Sequence, residues 1–110
     1  MTPNLVAGLE PPYYTAVFTS IRPEAPEGYA ETGARMQEIV SSLPGFLGYE
    51  SARTPGGIAI SVAYFRDLAS LDAWRDNAEH RAAKRRGREE WYESYSLHIG
   101  KVERSYGFER

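Results

Sequence analysis

Apolar and polar residues alternate along several short segments of this chain, and this pattern predicts β-strands. Tyr13 to Ser20 is rich in aromatic and β-branched residues, which favour an extended strand. Two further strands are predicted over Phe46 to Arg53 and Ile58 to Arg66. A Thr-Pro-Gly-Gly turn joins them, because glycine supplies the positive φ that a tight hairpin needs. A last strand is predicted from Tyr95 to about Tyr106.

Other segments carry apolar residues at helical spacing. From Tyr29 to Leu43 they recur at i, i+3, i+4 and i+7, which predicts a helix that ends at the proline and glycine that follow. A second helix is expected to begin at a cap on Asp67 or Ser70. Asn77 can cap a helix afresh. The sequence therefore predicts a break near Asn77 and a third helical segment from Glu79 to about Tyr92.

The order of these elements is β-α-β-β-α-β. It predicts an α+β, ferredoxin-like fold, in which a four-stranded antiparallel sheet carries helices on one face. Ile58, Ile60, Val62 and Tyr64 share one face of their strand and Ala59, Ser61, Ala63 and Phe65 the other, and both faces are fairly apolar. The helices cover one face of the sheet, and nothing in the chain remains to cover the other. We expect a second copy of the chain to cover this open sheet face, which predicts a homodimer. Residues 13–110 are expected to form one domain, preceded by a flexible leader over residues 1–12.

Composition and charge narrow the function classes. The 110 residues are 42% hydrophobic and 25% charged, as in ordinary folded domains. The net charge is −2 and the sequence pI about 5.7, which predicts no nucleic-acid partner. No apolar run approaches the roughly 20 residues that span a membrane, and the first ten residues do not resemble a secretion signal, so a cytoplasmic location is expected. The chain has no cysteine, which excludes thiol chemistry.

Two histidines and two tryptophans are the candidates for chemistry. His80 and His98 lie far apart in the sequence without metal-ligand spacing, so no metal site is predicted. His80 follows the Asn77 cap by three residues and is expected to point back toward Trp74. It is a candidate acid or base, or a haem ligand; the alternative is a surface or capping histidine. Trp74 is a candidate for stacking on an aromatic substrate; the alternative is a core or interface anchor.

Three segments resemble the antibiotic biosynthesis monooxygenase (ABM) family. The run Leu43-Pro44-Gly45-Phe46-Leu47-Gly48-Tyr49-Glu50 is similar to the PGF-G-E run that leads the family's second strand. Ile60 to Phe65 is similar to its third strand. Ser70 to Arg75 is similar to the following helix with its Ala-Trp pair, and Glu79-His80 stands downstream. The resemblance extends from about Tyr13 to Tyr106.

The resemblance implies a dimeric α+β barrel. Some relatives oxidise polycyclic phenols to quinones with oxygen and without metal or flavin, others degrade haem, and many have no assigned activity. We therefore expect a monooxygenase that acts on a small aromatic or phenolic substrate and needs no cofactor. One alternative is a non-catalytic, small-ligand-binding or stress-associated dimeric module. The other is a haem-binding or haem-degrading protein.

The resemblance also suggests roles for individual residues. In the quinone-forming relatives a polar aromatic residue about two turns after the tryptophan contacts substrate, and His80 stands near that position as the expected catalytic base. Trp74, Tyr64 and Asn77 are expected to bind the substrate, Trp74 by stacking and Tyr64 by a hydrogen bond to its oxyanion. Haem degraders have an asparagine on the first strand, which this chain lacks, and a histidine where it has Lys84. These departures argue against haem cleavage.

Overall fold

The protein was analysed as a computed structural model that describes residues 5–24 and 26–110. Four antiparallel strands form one sheet in the order β2-β3-β1-β4. The strands are β1 (Tyr13–Ile21), β2 (Phe46–Arg53), β3 (Ile58–Phe65) and β4 (Ser94–Val102), and the helices are α1 (Tyr29–Ser42), α2 (Leu68–Asp76) and α3 (Ala78–Arg86). The predicted ferredoxin-like fold is confirmed, with its second helix divided in two.

Two boundaries differ from the prediction. The third helical segment is regular only to Arg86 and then forms one π-helical turn over Gly87–Trp91. β4 ends at Val102 instead of continuing to about Tyr106, because Val102 pairs with Tyr13, the first residue of β1. Beyond that pair, β1 offers no further residue with which β4 could form backbone hydrogen bonds. In the described part of the chain, no helix is long and apolar enough to cross a membrane.

The helices cover one face of the sheet, here called the helix face. Val40 of α1, Phe65 of β3 and Leu71 of α2 form its buried core, and Phe65 is completely buried. Phe46 meets the Phe65 ring edge to face, with 5.8 Å between the ring centres. Because side chains alternate along a strand, Ala63, Ser61 and Ala59 of β3 share this face with Phe65, as do the residues of β1 that pair with them. On β2 an irregularity between Phe46 and Gly48 shifts the alternation, so that Tyr49, Ser51 and Arg53 lie on this face.

The other face of the sheet, here called the open face, carries no helix. Ile58 and Ile60 lie on it with 50% and 45% of their surface exposed. Part of the segment before β1 reaches this face, since the backbone N–H of Val6 donates a hydrogen bond to Glu50 at 2.9 Å. Gly48 lies beneath Val6, because a Cβ at Gly48 would come within 2.8 Å of the valine side chain.

The N-terminus of α2 packs closely on the turn before β2. Asp67 caps α2, and its Oδ1 accepts hydrogen bonds from the Ser70 backbone N–H at 2.8 Å and the Ser70 hydroxyl at 2.7 Å. These bonds lower the pKa of Asp67. Gly45 has a φ of +84°, and a Cβ built on it would lie 1.9 Å from the Ser70 hydroxyl oxygen. The glycine of the PGF run is therefore required both by its backbone conformation and by the lack of space.

Gly45→Ala is expected to destabilise the fold more than Gly56→Ala. Gly56 is the matched control, because its φ of +69° is also positive but no atom lies closer than 4.0 Å to its built Cβ. Both variants carry the backbone cost of about 1 kcal/mol. Gly45→Ala should add about 1–3 kcal/mol, because Ser70 must move away from its cap. Urea unfolding of the two variants measures the difference, and equal losses would contradict the close packing at Gly45.

Candidate functional site

Trp74 and His80 stack on each other at the junction of α2 and α3. Asn77 ends α2 and caps α3, its side-chain oxygen accepting the His80 backbone N–H at 3.0 Å. The chain therefore turns at Asn77, and the predicted break is confirmed. The two rings lie 3.8 Å apart between centres and 9° from parallel. The His80 Nδ1 lies 2.9 Å from the Trp74 carbonyl oxygen.

This arrangement fixes the chemical form of His80. A carbonyl oxygen only accepts hydrogen bonds, so the Nδ1 carries the proton and the Nε2 keeps a free lone pair. Burial lowers the pKa of His80 from 6.5 to about 4, and the positive charge of Lys84 acts in the same direction. The bond to the Trp74 carbonyl opposes the shift but does not cancel it. At neutral pH His80 is an uncharged hydrogen-bond acceptor.

Tyr64 lies on the open face, away from this pair. Its hydroxyl donates to Glu50 at 2.6 Å, and its ring lies 6.1 Å from that of Tyr13. Burial, and then the Glu50 carboxylate, raise the pKa of Tyr64 to about 12. The structure thus brings Trp74, Asn77 and His80 together and leaves Tyr64 on the opposite side of the sheet.

An open cavity of about 360 Å³ lies on the helix face, beneath the first half of α1. Its floor carries three hydroxyl groups, because Ser61 lies 3.1 Å from both the Tyr49 hydroxyl and the Ser51 hydroxyl. Phe18 and Tyr29 provide aromatic walls. The lining residues are Phe18, Ser20, Arg22, Tyr29, Ala30, Gly33, Gln37, Tyr49, Ser51, Arg53, Ala59 and Ser61.

The cavity begins next to the core that holds Trp74. Trp74, Ala16 and Ala63 all pack against the buried cluster of Val40, Phe65 and Leu71. Ala16 pairs with Ala63, and the next pair on the same face is Phe18 with Ser61, which lines the cavity. Two residues of strand span about 7 Å. None of Tyr64, Trp74, Asn77 and His80 lines this cavity itself.

Arg22 and Arg53 in this cavity were not anticipated from the sequence. β1 and β2 both run antiparallel to β3, so they run in the same direction and their C-terminal ends lie at the same end of the sheet. Arg53 is the last residue of β2, and Arg22 directly follows β1. The two arginines could have been predicted to lie close together from the strand order. That prediction requires knowing that β3 lies between β1 and β2.

A second cavity, of about 370 Å³, lies between α1 and α3. Arg35 donates to Glu79 across it at 3.0 Å and also pairs with Glu38, which raises the arginine's pKa and lowers that of Glu79. Arg35 and Glu79 are thus already paired with each other, and Arg86 pairs with Glu90 at 3.1 Å. None of the four predicted site residues lines it.

Two observations concern metal and haem. Among residues 5–24 and 26–110, no group of three or more His, Asp or Glu side chains is placed to hold a metal ion. Lys84 stands where haem-degrading relatives are expected to have a histidine. Its ammonium donates to the Arg75 carbonyl at 3.1 Å, and burial together with the charges of Arg75 and Arg88 lowers its pKa.

Sequence comparisons find a family and two relatives. The sequence model of the family described as antibiotic biosynthesis monooxygenase matches residues 12–86. Uncharacterized protein YqjZ of Bacillus subtilis (strain 168) is 44% identical over 100 residues, which cover 91% of this chain and 88% of that protein. Jasmonate monooxygenase ABM of Pyricularia oryzae is 32% identical over 92 residues. That match covers 79% of this chain but 42% of the fungal protein.

Solved structures share the fold at low sequence identity. SnoaB, a cofactor-independent oxygenase from Streptomyces nogalater, superposes with a TM-score of 0.72 at 13% identity, covering 86% of this chain and 97% of SnoaB. Protein SO0527 from Shewanella oneidensis superposes with a TM-score of 0.71 at 16% identity, covering 83% of this chain and 91% of that one.

The low pKa of His80 predicts a pH-dependent stability. Between pH 6.5 and about 4 the unfolded chain binds a proton at His80 and the folded chain does not, so the free energy of unfolding falls as the pH is lowered through this window. The expected loss is on the order of 2 kcal/mol after solvent screening. His80→Gln should remove this part of the acid sensitivity, whereas the control His98→Gln should keep it. Urea unfolding at pH 7 and pH 4.5 tests this, and equal pH dependence in His80→Gln and the unmodified protein would contradict it.

Proposed function

Because the chain belongs to the antibiotic biosynthesis monooxygenase family, we propose that it oxygenates a small aromatic or phenolic substrate bound between its sheet and helices. The observation that carries the proposal is the stack of His80 on Trp74. It holds a neutral histidine with a free Nε2 lone pair against Trp74, which packs on the core next to an aromatic cavity. We propose that His80 is the base, and that Trp74 and Asn77 hold it in position and border the substrate.

The proposed reaction takes its electrons from the substrate. A ring CH₂ group, or its enol tautomer, reacts with O₂ so that one oxygen atom becomes a carbonyl and the other leaves as water with the two hydrogens. The residues of the chain then have two tasks, which are to accept a proton and to hold the anion near oxygen away from bulk water. This scheme requires no electron donor other than the substrate.

The pKa of His80 limits which substrates fit this scheme. An ordinary phenol has a pKa of about 10. Moving its proton to a histidine of pKa about 4 is therefore uphill by about 8 kcal/mol. We accordingly propose a substrate whose hydroxyl is acidified by a conjugated carbonyl group, such as the enol of a 1,3-dicarbonyl compound or a polycyclic phenol that carries such a carbonyl. Tyr64, on the open face, takes part only if a second subunit brings a ligand to that face.

The relatives support this reaction class without defining its substrate. The fungal relative is named as a monooxygenase acting on jasmonate, and this chain spans less than half of that protein. SnoaB is described as a cofactor-independent oxygenase, and it shares the fold. Both descriptions are consistent with oxygenation of a small organic molecule in this pocket.

A non-catalytic binding module is the second candidate. It is supported by the weak basicity of His80 and by the position of His80 outside the lining of the cavity. Such a module would bind the same class of ligand in the same cavity without consuming oxygen.

We further propose that two copies of the chain associate through their open faces. Ile21, Ile58 and Ile60 are exposed there, and in each case more than a third of the residue surface is accessible. A two-fold axis that places open face on open face would bury these side chains in both subunits. A cytoplasmic location remains the prediction made from the sequence.

His80→Ala is expected to lower kcat about 10²-fold, because it removes the positioned base. His98→Ala is the matched control, since His98 lies on β4 and pairs with Val17 on the open face. Oxygen uptake with a panel of polycyclic phenols and enols measures the rate. Uptake that survives unchanged in His80→Ala would exclude His80 as the base. Ligand binding without any uptake by the unmodified protein would establish the binding module instead.

Ile60→Asp is expected to convert the dimer to a monomer, because a carboxylate at the centre of the open face would be buried without a partner. Leu68→Asp is the control, since Leu68 on α2 is exposed to nearly the same extent, 46% against 45% for Ile60. Sedimentation velocity should give about twice the 12.4 kDa chain mass for the unmodified protein and the control. A monomeric unmodified protein at micromolar concentration would refute the proposed dimer.

A further inference from the structure

Two charged nitrogen atoms near the cavity beneath α1 are buried and make no hydrogen bond. They are the Nε of Arg22 and the Nη1 of Arg53, and both residues line the cavity. A guanidinium group stays protonated in proteins, so neither side chain can relieve this by losing a proton. A buried donor on a cation is costly unless an acceptor reaches it.

The two guanidinium groups lie side by side. The Arg22 Nη1 and the Arg53 Nη2 both donate to the carbonyl oxygen of Pro23, at 3.0 and 3.4 Å. The Arg22 Nη1 also donates to the Glu24 carbonyl, and the Arg53 Nη2 to the Arg22 carbonyl. In the part of the chain that the structure describes, neither arginine forms an ion pair with a carboxylate. Backbone carbonyls therefore hold both groups in place without neutralising their charge.

The start of α1 adds positive potential to the same end of the cavity. Tyr29 and Ala30, the first two residues of α1, line the cavity. The Tyr29 N–H donates to the Pro26 carbonyl at 3.2 Å, and the N-cap residue Gly28 has no side chain to cap the helix further. The positive end of the helix dipole lies here. The Arg22 guanidinium also lies 3.8 Å from the centre of the Tyr29 ring, which restricts its movement.

The rest of the cavity is aromatic and hydroxylated. Phe18 and Tyr49 line it together with the Ser51 and Ser61 hydroxyls, and no carboxylate belongs to its lining. One end therefore suits an anion and the remainder suits an apolar, flat body.

We propose that this cavity binds a small aromatic carboxylate, whose anionic end is held between Arg22 and Arg53. Each arginine offers one free buried nitrogen, which matches the two oxygens of a carboxylate better than the three or more of a phosphate. The ring system then lies along Phe18 and Tyr49 and extends toward the core that holds Trp74. This inference rests on the proposed function, because it names the substrate class of the same pocket.

The first test compares two ligands of the same shape on the unmodified protein. Calorimetry under anaerobic conditions gives the affinities for 2-naphthoate and for its neutral amide, 2-naphthamide. We expect 2-naphthoate to bind at least about 10-fold more tightly, as for a charged hydrogen bond in a buried site. Equal affinities, or no binding of either ligand, would overturn the proposal. The proposal would also be overturned if inorganic phosphate competed with 2-naphthoate at equal affinity.

The second test changes the arginines. Arg22→Gln and Arg53→Gln should each lower the affinity for 2-naphthoate at least about 10-fold and leave that for 2-naphthamide unchanged. Arg35→Gln is the control, since Arg35 lines the other cavity, where its charge is already paired. A preference for 2-naphthoate that both variants retain would overturn the proposal. Where a variant does not fold, the comparison of ligands on the unmodified protein still decides.

Failure of this inference and failure of the proposed function are distinguishable. The binding measurements involve no turnover. If binding of 2-naphthoate depends on the arginines but the protein consumes no oxygen with any polycyclic phenol or enol, the carboxylate site is supported and the oxygenase is refuted. Oxygen uptake with neutral phenols, together with equal affinity for the two naphthalene ligands, would refute the carboxylate site alone.

Discussion

The three helices of this domain cover only part of one face of a four-stranded sheet, and the other features of the molecule follow from that limit. Where α1 and α2 meet the sheet, Val40, Leu71 and Phe65 form the buried core. Farther along β3 the helix face carries Ala59 and Ser61, side chains too small to fill the space beneath α1. The same face thus provides a core at one end and a cavity at the other. The opposite face receives no helix, which leaves its isoleucines exposed.

The junction between α2 and α3 gives the region beside the core its chemical character. The Asn77 cap interrupts the helix and turns His80 back on to Trp74. Burial keeps His80 neutral, and the hydrogen bond to the Trp74 carbonyl defines its tautomer. Under the proposed function, a base of this kind suits a substrate that gives up a proton easily.

The cavity and the region beside the core differ in charge. Beside Trp74, His80 is uncharged at neutral pH. Near Arg22 and Arg53 two cations are held by backbone carbonyls close to the start of a helix. A ligand with an anionic head would be oriented by this difference, with its head at the arginines and its ring toward His80. Orientation of this kind is what positions one carbon of a flat substrate for reaction.

Local patterns in the sequence determined much of this structure. Alternation and helical spacing predicted the strands and helices, and the asparagine at position 77 predicted the break that places His80 beside Trp74. Each of these is set by residues within a few positions of one another, where backbone preference and side-chain capping decide. The family resemblance came from the same local runs.

The tertiary structure alone decided which residues from distant segments lie on the same face of the sheet. Tyr64 and Trp74 were both expected at the substrate, but the pairing of β3 puts Tyr64 on the open face with Glu50. Arg22 and Arg53 are 31 positions apart in the sequence. They meet only because the C-terminal ends of β1 and β2 lie at the same end of the sheet. The burial that lowers the pKa of His80 likewise depends on packing around the junction. Contacts between distant segments depend on strand order and register, and a local pattern contains neither.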